Sequence, residues 1–339
     1  MAGNRPPGAD ARLRQNLWKI EREKMRLPEP DAGGYYFNGF GRLLPGKGGC
    51  MYRRFFYSIL VIGMMLLAAF AAEADEPQRR VVATRLVAEG IDPEQAQTLL
   101  RDPRVTVRPE IVLKNLFYSK PRPSRQRPEV MEVDPRQIAR GRSFIATHAM
   151  MLDAARKRFG VSPRIITAIL IVESWLGDYP MPYGVFNAYA NLAFLLDPDY
   201  LKNLQERYAA QYPQLKDEAT LARAKTKAVW AAGEMVFLLH LANHLDADPL
   251  TFKGSFAGAM GPGQFIPSSF WIFGIDGDED GLASPFNMGD ATLSMANYLY
   301  RYGWREDAPL EQKRKALWYY NRSAVYVNTV LMVYEELEK

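Results

Sequence analysis

Cysteine occurs once in these 339 residues, at Cys50, and histidine only three times. Downstream of Cys50 no disulfide can staple the chain and no thiol can act as nucleophile or ligand, so stability there rests on packing. Cys50 also precedes the apolar run at 55–72, whereas a lipid-bearing cysteine follows one. His240 and His244 are spaced for one helix face, yet no Glu follows His240 and no third ligand stands nearby. They read as ordinary helix histidines rather than a zinc site. An excess of basic charge is missing as well. The formal net charge is +5, but residues 1–74 hold 11 Lys+Arg against 6 Asp+Glu, and residues 75–339 balance at 32 against 32. A neutral chain lacks the basic face that nucleic acid requires, so no nucleic-acid partner is expected. Convincing alternating strand runs and internal repeats are absent too.

The balance of the chain is apolar enough, at 48%, to bury a large core in one or two domains. Residues 51–74, MYRRFFYSILVIGMMLLAAFAAEA, place Arg53 and Arg54 before an uncharged run from Phe55 to Ala72. Ala69-Phe70-Ala71 or Ala72-Glu73-Ala74 supplies a small-x-small cleavage site, the layout of a secretory signal. A retained membrane anchor through 55–72 is the alternative, because 18 uncharged residues can just span a bilayer. Either way the bulk of the chain is expected outside the cytoplasm, periplasmic, free or held at the inner membrane. Residues 1–50 read as an upstream extension or a cytoplasmic tail.

From Asp75 onward helical spacing dominates. Helices are expected near 78–89, 93–101, 136–159, 163–175, 186–196, 216–244, 288–303, 308–319 and 323–338. The Pro- and Arg-rich stretch at 118–135 reads as an extended connector within a domain spanning 75–339. The fold class is mainly α.

The most informative helix is SPRIITAILIVESWLG, Ser162 to Gly177. Ser162 and Pro163 form a start signal, and Gly177 is placed to stop the helix. From Ile165 to Val172 only Thr167 is polar, so the helix has no wet face and is expected to be buried. Glu173 stands at its end. Apolar surroundings and the negative end of the helix dipole both favour the neutral carboxyl, the form a general acid needs. Taken alone, a Glu at a helix end serves equally well in a surface ion pair.

Three further segments carry signals. Gly254 to Pro267, GSFAGAMGPGQFIP, is dense enough in glycine to let backbone approach something closely. Asp276 to Asn287, DGDEDGLASPFN, sets Asp276, Asp278, Asp280, Ser284 and Asn287 at the oxygen positions of an EF-hand loop, with Gly281 at its turn and Leu282 offering a carbonyl. Asn replaces the usual bidentate Glu at the last position, so structural calcium would bind weakly; Asp290 is placed to add an oxygen. Near the C-terminus Trp318, Tyr319, Tyr320, Asn321 and Tyr326 combine rings with an amide, a mix that suits carbohydrate or simple core packing.

In this order VESWLG, GSFAGAMGPGQFIPSSF, the acidic loop with DATLSMANYL and YGW, and the YN-x-S-x-x-Y of 320–326 resemble the membrane-bound lytic transglycosylase B family. The resemblance covers roughly 78–338. It implies a lysozyme-like α domain, with an added helical N-terminal part and an EF-hand-like loop. The implied reaction cleaves the β-1,4 bond between N-acetylmuramic acid and N-acetylglucosamine of peptidoglycan strands. It needs no cofactor and leaves 1,6-anhydro ends. Glu173 takes the place of the single acid/base. Ser255, Met260, Gln264, Tyr298, Tyr320, Asn321 and Tyr326 fall on sugar-groove positions. Asp276, Asp278, Asp280, Leu282 and Asn287 fall on the metal loop. A hydrolytic muramidase and a silent peptidoglycan-binding scaffold remain alternatives. Family members often carry basic residues beyond the catalytic helix that could meet the stem peptide, whereas 197–202, DPDYLK, begins acidic.

Overall fold

The structure is a computed structural model that describes residues 76–117 and 129–339. The extension at 1–50, the signal or anchor at 51–74 and most of the 118–135 connector lie outside the described residues. Two two-residue strands, Tyr183–Gly184 and Lys253–Gly254, pair antiparallel, and helices make up most of the rest. Such strands are too short to show any alternation in sequence. Among the described residues no helix is long and apolar enough to cross a membrane.

The chain divides into two compact units. Among the described residues, 76–109 together with Ala190–Ala232 form one of them. In it α1 (Glu76–Ala88) packs on α2 (Pro93–Arg101) and on the 3-10 turn Phe194–Leu196. Fully buried Asn191 ties this unit internally: its amide donates to the Thr106 carbonyl at 2.9 Å, and its oxygen accepts from the Arg108 amide at 2.5 Å.

The other unit holds Glu110–Tyr189 and Gly233–Lys339. Its elements are α3 (Pro109–Phe117), α4 (Pro135–Thr147), α5 (Ala149–Phe159), α6 (Pro163–Ser174) and the start of α7 (Val185–Ala193). After α8 (Pro198–Tyr208) and most of α9 (Glu218–His244) it continues with α10 (Pro267–Phe273), α11 (Met288–Arg301), α12 (Leu310–Tyr320) and α13 (Ala324–Glu336). Helix α6 is the hub. Ile165 to Ile171 are buried without a gap, and α6 packs against α4, α5, α11 and α13. A helix apolar all round has to be enclosed in this way. Gly141 on α4 allows the closest approach, since a Cβ there would stand 2.7 Å from Ile171 Cδ1.

Several expectations need correcting. The helix read as 136–159 is two helices meeting at His148, whose ring packs edge-on to Phe144 at 4.3 Å. The cause is tertiary, because α4 packs on α6 while α5 packs chiefly on α11. Ser162 stands at the N-cap of α6, but its hydroxyl makes no cap bond. The Glu306 carboxylate instead accepts the Ser162 amide at 2.9 Å, so a distant acid starts the helix. Gly177 does not stop α6. Trp175, in left-handed backbone, is the cap. Helices α3, α8 and α10 carry no expectation in the sequence reading. Asp197, the first acid of 197–202, is the N-cap of α8 and accepts the Asp199 amide.

Candidate active site

Glu173 occupies the last turn of α6 and keeps a limited opening to solvent. Protein surrounds it closely, and burial pushes its carboxyl up to about 7. A weaker interaction with the Tyr326 hydroxyl pulls in the opposite direction. That hydroxyl is buried and makes no closed hydrogen bond, so desolvation decides the balance. The charge of Glu173 in turn raises the hydroxyl pKa of Tyr320 and Tyr326 well above the usual tyrosine value, after burial as the first cause. Both phenols are therefore neutral donors at any physiological pH. Asp178, the nearest acid in sequence, is exposed and paired with Arg140, past the helix end.

The glycine-rich segment forms a wall beside this group. Gly254 and Phe265 both bridge Met260, folding the segment back on itself. Gly258 and Gly261 adopt φ of +85° and +65°, where a Cβ would strike the Tyr189 ring and the Pro285 carbonyl. The Tyr320 hydroxyl donates to the Gly263 carbonyl at 2.6 Å, joining the wall to the tyrosines around Glu173. Tyr298 lies 5.1 Å from the Tyr320 ring, and its hydroxyl donates to the Tyr319 carbonyl.

The anticipated groove residues occupy different depths. Gln264 is partly exposed in left-handed backbone, with φ of +50°. Its amide donates to the Gly261 carbonyl at 2.8 Å and approaches the Met181 sulfur, while its oxygen has no partner. Tyr320 and Asn321 are partly exposed. Tyr298 and Tyr326 are buried, Met260 has no exposed surface, and the Ser255 hydroxyl is taken by the Ala257 and Ala259 amides. Ser255 and Met260 therefore shape the wall from behind.

In the acidic loop the structure gathers Asp276, Asp278 and Asp290, with one ligand oxygen of each inside 4.8 Å of the others. Asp280 is not among them; it accepts the Leu282 amide instead. Asn287 spends its oxygen capping α11, accepting from Gly289 and Asp290, and its amide donates to Asp278. Gly281 makes the expected turn with φ of +95°. One Asp276 oxygen is buried without a donor, which suits a hard cation. Burial, with the Asp278 charge adding to it, raises the Asp290 carboxyl even against backbone donors at Gly277 and Ser284. His240 and His244 both lie against the Trp271 ring, at 5.7 and 6.3 Å.

Two features escaped the sequence reading. Glu306 accepts from Ser162, from Trp304 Nε1 at 2.9 Å and from the Tyr334 hydroxyl at 2.9 Å. Burial works to raise its carboxyl, but these donors prevail and hold it below the ordinary value. No local pattern announces such a long-range contact. Trp175 and Tyr179, two and six residues beyond Glu173, pack edge to face with ring centroids 4.9 Å apart.

One unit thus brings together a carboxyl raised by burial at the end of α6, a glycine-rich wall and clustered tyrosines. Residues 74–316 match the transglycosylase SLT domain, and the chain belongs to that family. Membrane-bound lytic murein transglycosylase B of Escherichia coli (strain K12) is 31% identical over 172 residues, 51% of this chain. The aligned part spans 40% of that relative's length. Among solved structures, soluble lytic transglycosylase SltB1 from Pseudomonas aeruginosa aligns with a TM-score of 0.60 and 24% identity, over 77% of this chain and 97% of that one. The Escherichia coli lytic transglycosylase Slt35 in complex with calcium gives 0.58 and 21%, over 77% and 93%. SltB3 from Pseudomonas aeruginosa in complex with NAG-NAM-pentapeptide gives 0.58 and 20%, over 78% and 79%. The mainly α fold is thus that of lytic transglycosylases.

Proposed function

We propose that this protein is a lytic murein transglycosylase acting on peptidoglycan glycan strands, with Glu173 as its single acid/base. The observation that carries the reading is the Glu173 carboxyl, raised to about 7 by burial beside two neutral tyrosines. Family membership supports the same chemistry. Ordinary glycosidases use two carboxylates about 5–9.5 Å apart, and here the nearest acid in sequence is committed to Arg140. One carboxyl suffices when the substrate supplies the nucleophile.

In the first step Glu173 gives its proton to the glycosidic oxygen, and the bond from that oxygen to muramoyl C1 breaks. N-acetylglucosamine departs with a free 4-hydroxyl. The substrate's N-acetyl group and the groove stabilise the positive charge at C1. The Glu173 carboxylate then takes the proton of the muramoyl C6 hydroxyl, whose oxygen bonds to C1. The 1,6-anhydro end forms, Glu173 is reprotonated, and no water is consumed. Gln264, Tyr320 and Asn321 would meet the sugars, backed by Ser255, Met260, Tyr298 and Tyr326.

Asp276, Asp278 and Asp290 would hold a weakly bound calcium ion, which would stiffen the loop and take no part in the reaction. Residues 75–339 would form the catalytic part, delivered to the periplasm by the signal or anchor at 51–74. The test is mass spectrometry of peptidoglycan digested by the protein and by Glu173→Gln. Muropeptides lighter by one water, absent with the variant, are expected. Ordinary reducing ends would instead identify a muramidase, and binding without release a scaffold.

A further inference from the structure

The segment that leaves Glu173 has a costly conformation that packing explains at Leu176 but not at Trp175. Trp175, Leu176 and Gly177 take φ of 54°, 64° and 94° in succession. Left-handed backbone is a genuine outlier for a bulky residue, and such strain is concentrated where function needs it. Glycine or asparagine would cap α6 here without that cost. The turn is held firmly. The Leu176 amide donates to the Leu170 carbonyl at 3.0 Å, the Gly177 amide to the Ser174 hydroxyl at 3.0 Å, and the Tyr179 amide to the Ser174 carbonyl at 2.9 Å. Leu176 is buried by this path, so its side chain accounts for its own placement. Trp175 is left 40% exposed, and among the described residues its ring contact is with Tyr179, at 83° between planes.

The position of the turn supplies the occupant. It begins two residues after Glu173 and runs beside the glycine-rich wall. A Cβ on Gly177 would stand 3.8 Å from Pro262, and Met181 lies 3.3 Å from the Gln264 amide. The exposed indole thus sits two residues beyond the proposed acid, on a turn whose next residues approach Pro262 and Gln264 of the wall.

We propose that Trp175 is a substrate-binding residue of this site, its indole stacking on an N-acetylated sugar ring next to the bond at Glu173. Pyranose rings present C–H bonds on one face, and an electron-rich indole attracts them. Tyr179 sets the tilt of the indole plane. The inference rests on the transglycosylase reading, which it deepens by adding a sugar contact.

The test uses the full chain carrying Glu173→Gln, titrated calorimetrically with tetra-N-acetylchitotetraose. A second substitution is then added, Trp175→Gly or Trp175→Phe. Trp175→Gly is expected to weaken binding about tenfold or more, while Trp175→Phe stays within about threefold. Because glycine relieves the left-handed strain, Trp175→Gly should melt at or above the temperature of its parent. A residue kept for packing would give the reverse, a lower melting temperature with affinity intact. Equal affinity of the parent and Trp175→Gly, or no binding by the parent, overturns the proposal. Peptidoglycan cleavage by Glu173→Gln alone would sink the catalytic reading separately, leaving the oligosaccharide comparison to judge Trp175.

Discussion

Tyr320 and Tyr326 hold their rings parallel, 1° apart in plane with centroids 6.5 Å apart, and both hydroxyls feel the charge of Glu173. Their roles differ. Tyr320 donates its hydroxyl to the Gly263 carbonyl, while Tyr326 acts on the carboxyl itself. The Tyr326 interaction draws the Glu173 pKa down, so Tyr326→Phe should release it upward. The alkaline limb of the kcat/KM profile on peptidoglycan is expected to move to higher pH, with a rate loss below the limb of about tenfold or less. An unmoved limb would separate Tyr326 from the acid.

Glu173→Gln should remove activity by at least about a hundredfold, yet stabilise the fold above neutral pH. The native carboxyl, at about 7 against an ordinary 4.5, binds more protons than the unfolded chain between those values. Stability therefore falls as pH rises through that window, by up to about 3 kcal/mol. Glutamine cannot ionise. Urea midpoints of the two proteins should draw apart from pH 4 to pH 8, with the variant ahead at the alkaline end.

Calcium at about 10 mM should raise the melting temperature. With a Kd of about 1 mM, typical of weak extracellular sites, the gain is about 1.4 kcal/mol, or roughly 3 °C. Asp278→Asn should abolish the rise, while Asp280→Asn leaves it, because Asp280 stands outside the cluster. Scanning calorimetry of the three proteins with and without calcium decides the ligand set.

Two glycines with similar backbone should respond very differently to alanine. At Gly261 the new Cβ would come within 1.8 Å of the Pro285 carbonyl, whereas at Gly281 nothing lies within 4 Å. Gly281→Ala carries only left-handed strain, about 1 kcal/mol. Gly261→Ala should cost about 3 kcal/mol or more, since wall and loop must part. Denaturant unfolding of both variants measures the contrast.

Much of this arrangement was legible in residue order because it is local. An apolar run ending in one Glu specifies a buried helix with an acid at its end, and α6 obeys. Gly258 and Gly261 take the conformations that glycine alone adopts easily. What sequence could not convey is long-range. Ser162 looked like a cap, but Glu306 supplies the contact to its amide. Asn287 poses a local ambiguity instead, because its oxygen is placed both for the metal loop and for the start of α11, and residue order does not choose between them. Trp175 went unremarked because nothing in its neighbours foretells that it, rather than Gly177, turns the chain.

The docking of α13 on α6 has a consequence for timing. Tyr326 and Glu173 meet across roughly half the chain's length, and closures of that span come late in folding because their entropy is spent before any contact repays it. With α13 undocked, Glu173 would be open to water and would behave as an ordinary ionised carboxylate, with no proton to deliver near neutral pH. Under the proposed reaction, completing the fold is what would arm the acid, and a partly unravelled copy would leave peptidoglycan uncut.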